Sequence, residues 1–284
     1  MASSAFAVSA LARPAFLMCP PRFFDVQYVI NPWMEGNLHA PSAALAQQQW
    51  EHLHAAVAAF AEVLLIEPQP GLPDMVFTAN AGLVHPLGNH GIAALSRFRC
   101  AERTGEEAHF QRWFEAAGFE VRAMPPDAPF EGEGDALFTP DGGRLWAGYG
   151  WRTAEASHRC LQELWPACEV VPLRLVDPRF YHLDTCFAPL ANGDLLYYPP
   201  AFDDASLGRI EAFYTPGQRI AVGEEDALRF ACNAVNVGEQ IVLNQIRAPL
   251  RATLASRGFT VTEVALSEFM KSGGAAKCLC LRVR

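Results

Sequence analysis

The chain has 284 residues, 51% of them hydrophobic, and carries 31 acidic against 22 basic side chains for a formal net charge of −9. That balance excludes nucleic acid and an anionic membrane as partners, since both require clustered Lys and Arg, and it suits a small cationic substrate. Eight cysteines at 19, 100, 160, 168, 186, 232, 278 and 280 form no CxxC pair, which excludes a zinc finger or thioredoxin-type motif and fits reduced thiols in the cytoplasm.

The N-terminus is mildly apolar but lacks the positive n-region of a signal peptide and is too short for a membrane span. We read residues 1–14 as a loose leader and the 284-residue chain as a single α/β domain. Ala15 to Cys19 reads as a buried strand ended by Pro20-Pro21. Tyr28 to Asn37 mixes large apolar groups with asparagines, fits neither helix nor strand, and either packs under the domain or lines a site. Ala46, Trp50, Leu53, Val57 and Phe60 then mark one face of a helix, with Ser42 at its N-cap, and a strand follows over Val63 to Ile66.

From there a unit repeats about every fifty residues. Its hairpins are expected at Met75–Val84 with Ile92–Leu95, Ala136–Phe138 with Leu145–Gly148, Cys186–Leu190 with Leu195–Tyr198, and Ala234–Val237 with Ile241–Asn244. Their turns are Leu87-Gly88-Asn89, Asp141-Gly142-Gly143, Ala191-Asn192-Gly193-Asp194 and Gly238-Glu239-Gln240. Between hairpins come a helix and another strand, as where a Thr104 and Glu107 capping box opens a helix that Gly118 closes before strand Phe119–Ala123. Four ββαβ units are visible, and the N-terminal strand with the strand after Cys278 supplies a fifth. The pattern predicts radially arranged units with a site on the central axis; the alternative is an α+β sandwich.

Four polar clusters sit just before or within these hairpins, around Asp74 to Asn80, Glu131 to Asp135, Tyr181 to Cys186, and the turn Lys271 to Cys278. In the last, glycines and alanines clear the approach to Cys278, and Lys277 beside it is expected to favour the thiolate. In the third, alternation predicts that His182, Asp184 and Cys186 project from one strand face. A histidine near a thiolate serves as acid and base, and carboxylates bind planar N–H donors in pairs. Each cluster also has a structural reading as a turn, a solvated loop or a core histidine. A metal on His182, Asp184 and Cys186 is a further alternative, but no second ligand pair at metal spacing accompanies it.

Together these residues resemble the guanidino-group-modifying superfamily of amidinotransferases, arginine deiminases and dimethylargininases, from about Phe16 onward. Within it the segments FLMCPP, VINPWMEGN, PDMVFTANAGLV, FYHLDTCF and GGAAKCL are most similar to those of arginine dihydrolases. The resemblance implies a five-bladed α/β propeller of ββαβ units, the pentein fold. It implies Cys278 as nucleophile, His182 as general acid and base, and Asp184 with Glu131 as the carboxylates that hold the guanidinium. Arg152, and Arg103 less securely because its spacing from Asn80 differs, are implied to bind the substrate carboxylate, and Asp74 its amino-acid end. Two departures from the wider superfamily matter. The loop Glu131-Gly132-Glu133-Gly134-Asp135 is one residue longer than usual, so Glu131 and Glu133 compete for one role. An aspartate of deiminases falls on Asn80, where the dihydrolases resemble this chain, as they do at Asn31. The implied reaction hydrolyses L-arginine to ornithine, carbon dioxide and two ammonia with no metal or organic cofactor. The alternative is a deiminase or dimethylargininase that stops at citrulline.

Overall fold

The computed structural model describes residues 13–87 and 91–284, so most of the leader and the tip of the turn at Leu87-Gly88-Asn89 lie outside the described residues. Strands β1 (Ala15–Met18) and β2 (Glu62–Leu65) flank the helix Ala43–Ala58. Then come β3 (Gly82–Val84), β4 (Ile92–Leu95) and β5 (Glu120–Ala123). The pattern recurs in β6 (Ala136–Phe138), β7 (Arg144–Tyr149) and β8 (Glu169–Arg174). It recurs again in β9 (Phe187–Pro189), β10 (Leu195–Tyr197) and β11 (Arg219–Ala221), then in β12 (Val235–Val237), β13 (Gln240–Leu243) and β14 (Thr260–Glu263). The last strand is β15 (Leu281–Arg282).

Among the described residues these strands form five sheets of three, each with an antiparallel inner pair and a parallel outer one. The fifth sheet joins the two ends of the sequence. Its β15 pairs with β1, Phe16 opposite Arg282, and β1 pairs with β2. The five-unit propeller is therefore the observed architecture, and the sandwich is not. Each parallel pair needs a crossover, and amphipathic helices supply it. Ala46, Trp50, Leu53 and Val57 of the first helix are buried, as are Phe110 and Phe114 of the helix Glu107–Ala116. Apolar side chains between neighbouring blades fill continuous cores, one centred on Trp146, Phe187 and Tyr214.

Ser42 caps its helix as expected, accepting from Leu45 N. The capping box at Thr104 does not form. Ala101–Glu106 is a 3-10 turn, Thr104 donates back to Ala101 O, and Glu107 instead accepts from Phe98 N. The segment 75–84 is also not one strand: Pro73–Val76 and Thr78–Ala81 are 3-10 turns, and pairing begins only at Gly82. Its buried polar groups turn inward to other turns, which a ladder does not allow.

Candidate active site

Each inner strand is entered through a tight turn, and five such turns converge on the axis. Thr78–Ala81 leads into β3, Gly132–Gly134 into β6, Leu183–Thr185 into β9, Asn233 stands two residues before β12, and the turn holding Cys278 leads into β15. Short tight turns bring side chains from distant sequence to one point, while the strands behind them hold the backbone still. The last turn needs its glycines. Gly273 adopts φ +86°, and a Cβ there meets Tyr181 Oη at 2.8 Å; a Cβ on Gly274 meets Phe77 Cε1 at 2.5 Å.

One cleft is lined by Asn31, Asp74, Asn80, Arg103, Arg152, His182 and Cys278, with Ile30, Met34, Phe77, Tyr181, Ser272 and Gly274. The remaining two residues singled out from sequence stand directly behind it. Glu131 Oε2 accepts from His182 Nε2 at 2.7 Å and from Arg152 Nη1 at 3.1 Å. Asp184 Oδ2 lies 3.4 Å from Cys278 Sγ. The two acids of the loop point different ways. Glu131 faces the cleft, whereas Glu133 turns to Lys277 Nζ at 2.6 Å and Arg282 N at 2.8 Å.

At one end of the cleft Asp74 accepts from Tyr28 Oη at 2.9 Å and Ser272 Oγ at 3.1 Å, leaving a buried carboxylate beside two guanidinium groups. Arg103 is held by both oxygens of Glu106, by Asn80 Oδ1 at 2.9 Å and by Asp74 O at 3.1 Å. Arg152 is committed less completely, to Glu131 and to Ile30 O, with its guanidinium 4.8 Å from the Tyr181 ring centre. Asn80 also donates to Glu131 O at 3.2 Å, and Asn31 to Ser272 O at 3.0 Å.

Two expectations are corrected. The segment at 182 is no strand: His182 caps a 3-10 turn over Leu183–Thr185, so its three polar side chains diverge. Cys186 points into the apolar core and its Sγ lies 3.5 Å from Leu183 O, which removes it from any metal or catalytic set. Among the described residues no cluster of His, Cys, Asp or Glu is arranged to hold a metal. Nor does Lys277 hold a thiolate, since its ammonium pairs with Glu133 and Cys280 O. Burial, and then the Asp184 carboxylate, push the Cys278 thiol well above its usual range. Both influences favour the protonated thiol at Cys278.

The carboxylates differ in character. Burial raises Glu131, but Arg152 and His182 outweigh it and hold the carboxyl well below the usual range. Burial pushes Asp184 up to about 7 against the pull of Lys277, and Asp135 up to about 6 against that of His182. Sequence reasoning missed Asn233. Its Oδ1 accepts from Lys277 N at 2.9 Å and Cys278 N at 3.1 Å, and its Nδ2 donates to Cys278 Sγ at 3.1 Å and Asp184 O at 3.1 Å. A lone asparagine before a strand carries no signal in one sequence; only the convergence of blades gives it meaning.

No protein-family model matches the chain. It is 56% identical over 267 residues to the bifunctional arginine dihydrolase/ornithine cyclodeaminase ArgZ of Synechocystis sp., covering 94% of this chain and 37% of that protein. The chain thus spans under two fifths of that relative. It is 41% identical over 293 residues to the N(G),N(G)-dimethylarginine dimethylaminohydrolase of Mycobacterium tuberculosis, covering all of this chain and 93% of that enzyme. The crystal structure of the N-terminal domain of ArgZ from a cyanobacterium, a cysteine-to-serine variant bound to substrate, superposes with a TM-score of 0.92 at 54% identity, covering 95% of this chain and 98% of that one. An asparagine-to-serine variant of that domain, covalently bonded to a reaction intermediate, gives a TM-score of 0.93, again at 54% identity over 95% of this chain and 98% of that one. By identity across its whole length, by its five-bladed fold and by the site those blades enclose, the chain belongs to the guanidino-group-modifying superfamily that includes dimethylarginine dimethylaminohydrolase.

Proposed function

We propose that the chain is a catalytic propeller domain that hydrolyses L-arginine to ornithine, carbon dioxide and two ammonia, with Cys278 as nucleophile. The observation that carries this reading is the pairing of Cys278 and His182 on one cleft, each backed by its own buried carboxylate, Asp184 and Glu131. The far end of that cleft holds the complement of an amino acid, with Asp74 for the ammonium and Arg152 for the carboxylate.

Arginine's guanidinium brings a positive charge into the cleft beside Cys278. Its arrival offsets the two influences that keep the thiol protonated, burial and the Asp184 charge. Cys278 gives its proton to His182, the thiolate attacks the guanidinium carbon, His182 passes that proton to the departing ammonia, and an amidino-thioether remains. His182, steadied by Glu131, then deprotonates water, and breaking the carbon–sulfur bond leaves a ureido group. A second attack expels another ammonia, and hydrolysis of the thiocarbamate releases ornithine and carbon dioxide. Two waters are consumed per arginine.

Asn80 and Asn31, and the higher identity to ArgZ, support two rounds rather than one. The 41% identity to the mycobacterial dimethylaminohydrolase supports a second reading, a single hydrolysis ending at citrulline. Incubation with arginine and with dimethylarginine, followed by separation of ornithine from citrulline, tests both; accumulation of citrulline alone overturns the first. Eight free thiols support our assignment to the cytoplasm.

A further inference from the structure

The inner strands run away from the cleft, and at their far ends they enclose a second cavity of about 220 Å³ on the axis. Every sheet contributes to its wall, through Phe16, Val84, Phe138, Ala188, Val237 and Arg282 among others. It is smaller than the roughly 300 Å³ at which pockets for drug-sized ligands begin. Its wall is largely apolar and its floor is charged. Lys277 and Glu133 form an ion pair there, and Glu133 also accepts from the Arg282 backbone. Arg282 lines the same space; its guanidinium donates through Nε to Arg284 O at 3.2 Å and makes no ion pair among the described residues. The Glu133 carboxylate is taken up by the Lys277 ammonium and meets Arg282 only through its backbone N–H. A partly buried guanidinium short of a counter-ion favours an anion, and a carboxylate fits its fork.

We propose that this far cavity is a binding site for a small monocarboxylate with a branched apolar body, held by Arg282 and Lys277, and that its occupation restrains the nucleophile. The connection is short. Lys277 precedes Cys278, and both backbone N–H groups share Asn233 Oδ1. Glu133 sits in the turn whose next residue, Gly134, is packed so tightly that a Cβ there meets Asn80 Nδ2 at 2.2 Å. An anion that draws the Lys277 ammonium outward strains both turns and cancels the pull of Lys277 on Asp184. The second half of the proposal, on turnover, rests on the arginine-hydrolysing reading; the binding half does not.

Titration calorimetry with 3-methylbutanoate tests binding without any turnover. One molecule is expected to bind per chain in the millimolar range or below. Affinity should fall about tenfold or more in Arg282→Gln, and likewise in Val237→Trp, which fills the mouth, with folding checked by circular dichroism. It should persist in Arg152→Gln, and 3-methylbutanamide should fail to bind. Loss in Arg152→Gln with retention in Arg282→Gln places the probe in the arginine-lined cleft and overturns the proposal. So does equal binding of the amide, or no saturable binding in that range. In arginine turnover the probe should lower kcat and leave KM unchanged; binding without that effect overturns the coupling.

Discussion

His182 Nε2 and Glu131 Oε2 share a fully buried hydrogen bond of 2.7 Å, while Glu133, two residues along the same turn, serves the opposite face of the axis. The two acids therefore have separate partners, and substitutions at each should behave differently. Glu131→Gln removes the anion that steadies His182 and Arg152, and turnover should fall roughly 100-fold or more with the fold intact. Glu133→Gln alters no group that lines the cleft and should cost less than about tenfold. Steady-state kinetics on both variants decides, and the reverse ranking refutes the assignment.

The two neighbouring cysteines make a second contrast. Cys278 lines the cleft, whereas Cys280 lies in the core and burial pushes its thiol up to about 12. Cys278→Ser should abolish turnover and block trapping of a covalent intermediate by mass spectrometry. Cys280→Ser, a loss of some packing, should keep most activity. Equal loss from both would falsify a single nucleophile.

Asp184 should be legible in stability against pH. Its folded value of about 7 lies above the unfolded value near 3.9, so the folded state binds more protons between the two. Ionised Asp184 thus costs stability that grows as pH rises from about 4 to about 7 and stays constant above. Asp184→Asn removes that cost. Urea unfolding should find the variant more stable than the parent by about 1–3 kcal/mol at pH 8, with the difference shrinking toward pH 4. A constant difference across that range contradicts the assignment.

Asn80 bears on the product. Its Oδ1 accepts from Arg103 and its Nδ2 donates to Glu131 O, so an aspartate keeps the first bond and sets an oxygen against a carbonyl in the second. An amide can donate to a ureido oxygen and hold that intermediate, which a carboxylate cannot. Asn80→Asp should shift the product from ornithine toward citrulline in a chromatographic assay. Ornithine alone at parental yield eliminates this residue from the explanation.

Much of this architecture was legible because hairpin turns and helix faces leave local marks, as at Gly142, Gly193 and the Ala46 to Val57 stripe. The strand boundaries were less so. Met75 to Ala81 and Cys186 are apolar enough for strands, yet the chain coils there because Asn80 and Asp184 must reach partners in other blades. Lys277 shows the same limit. Adjacency in sequence put its charge beside Cys278, and the turn sends it to the other side of the axis, to Glu133. Asn233 left no mark, since its four partners lie in segments distant from it.

The pairing of Phe16 with Arg282 places Cys278 beside the one blade, among the described residues, built from both ends of the sequence. The other four blades draw their strands from continuous stretches and gain contacts early in folding, whereas this one requires closure of the largest loop in the chain. Chemical competence is then a late event. During refolding from urea, far-UV ellipticity should recover ahead of hydrolytic activity, with the interval between them measuring the time the ring takes to shut.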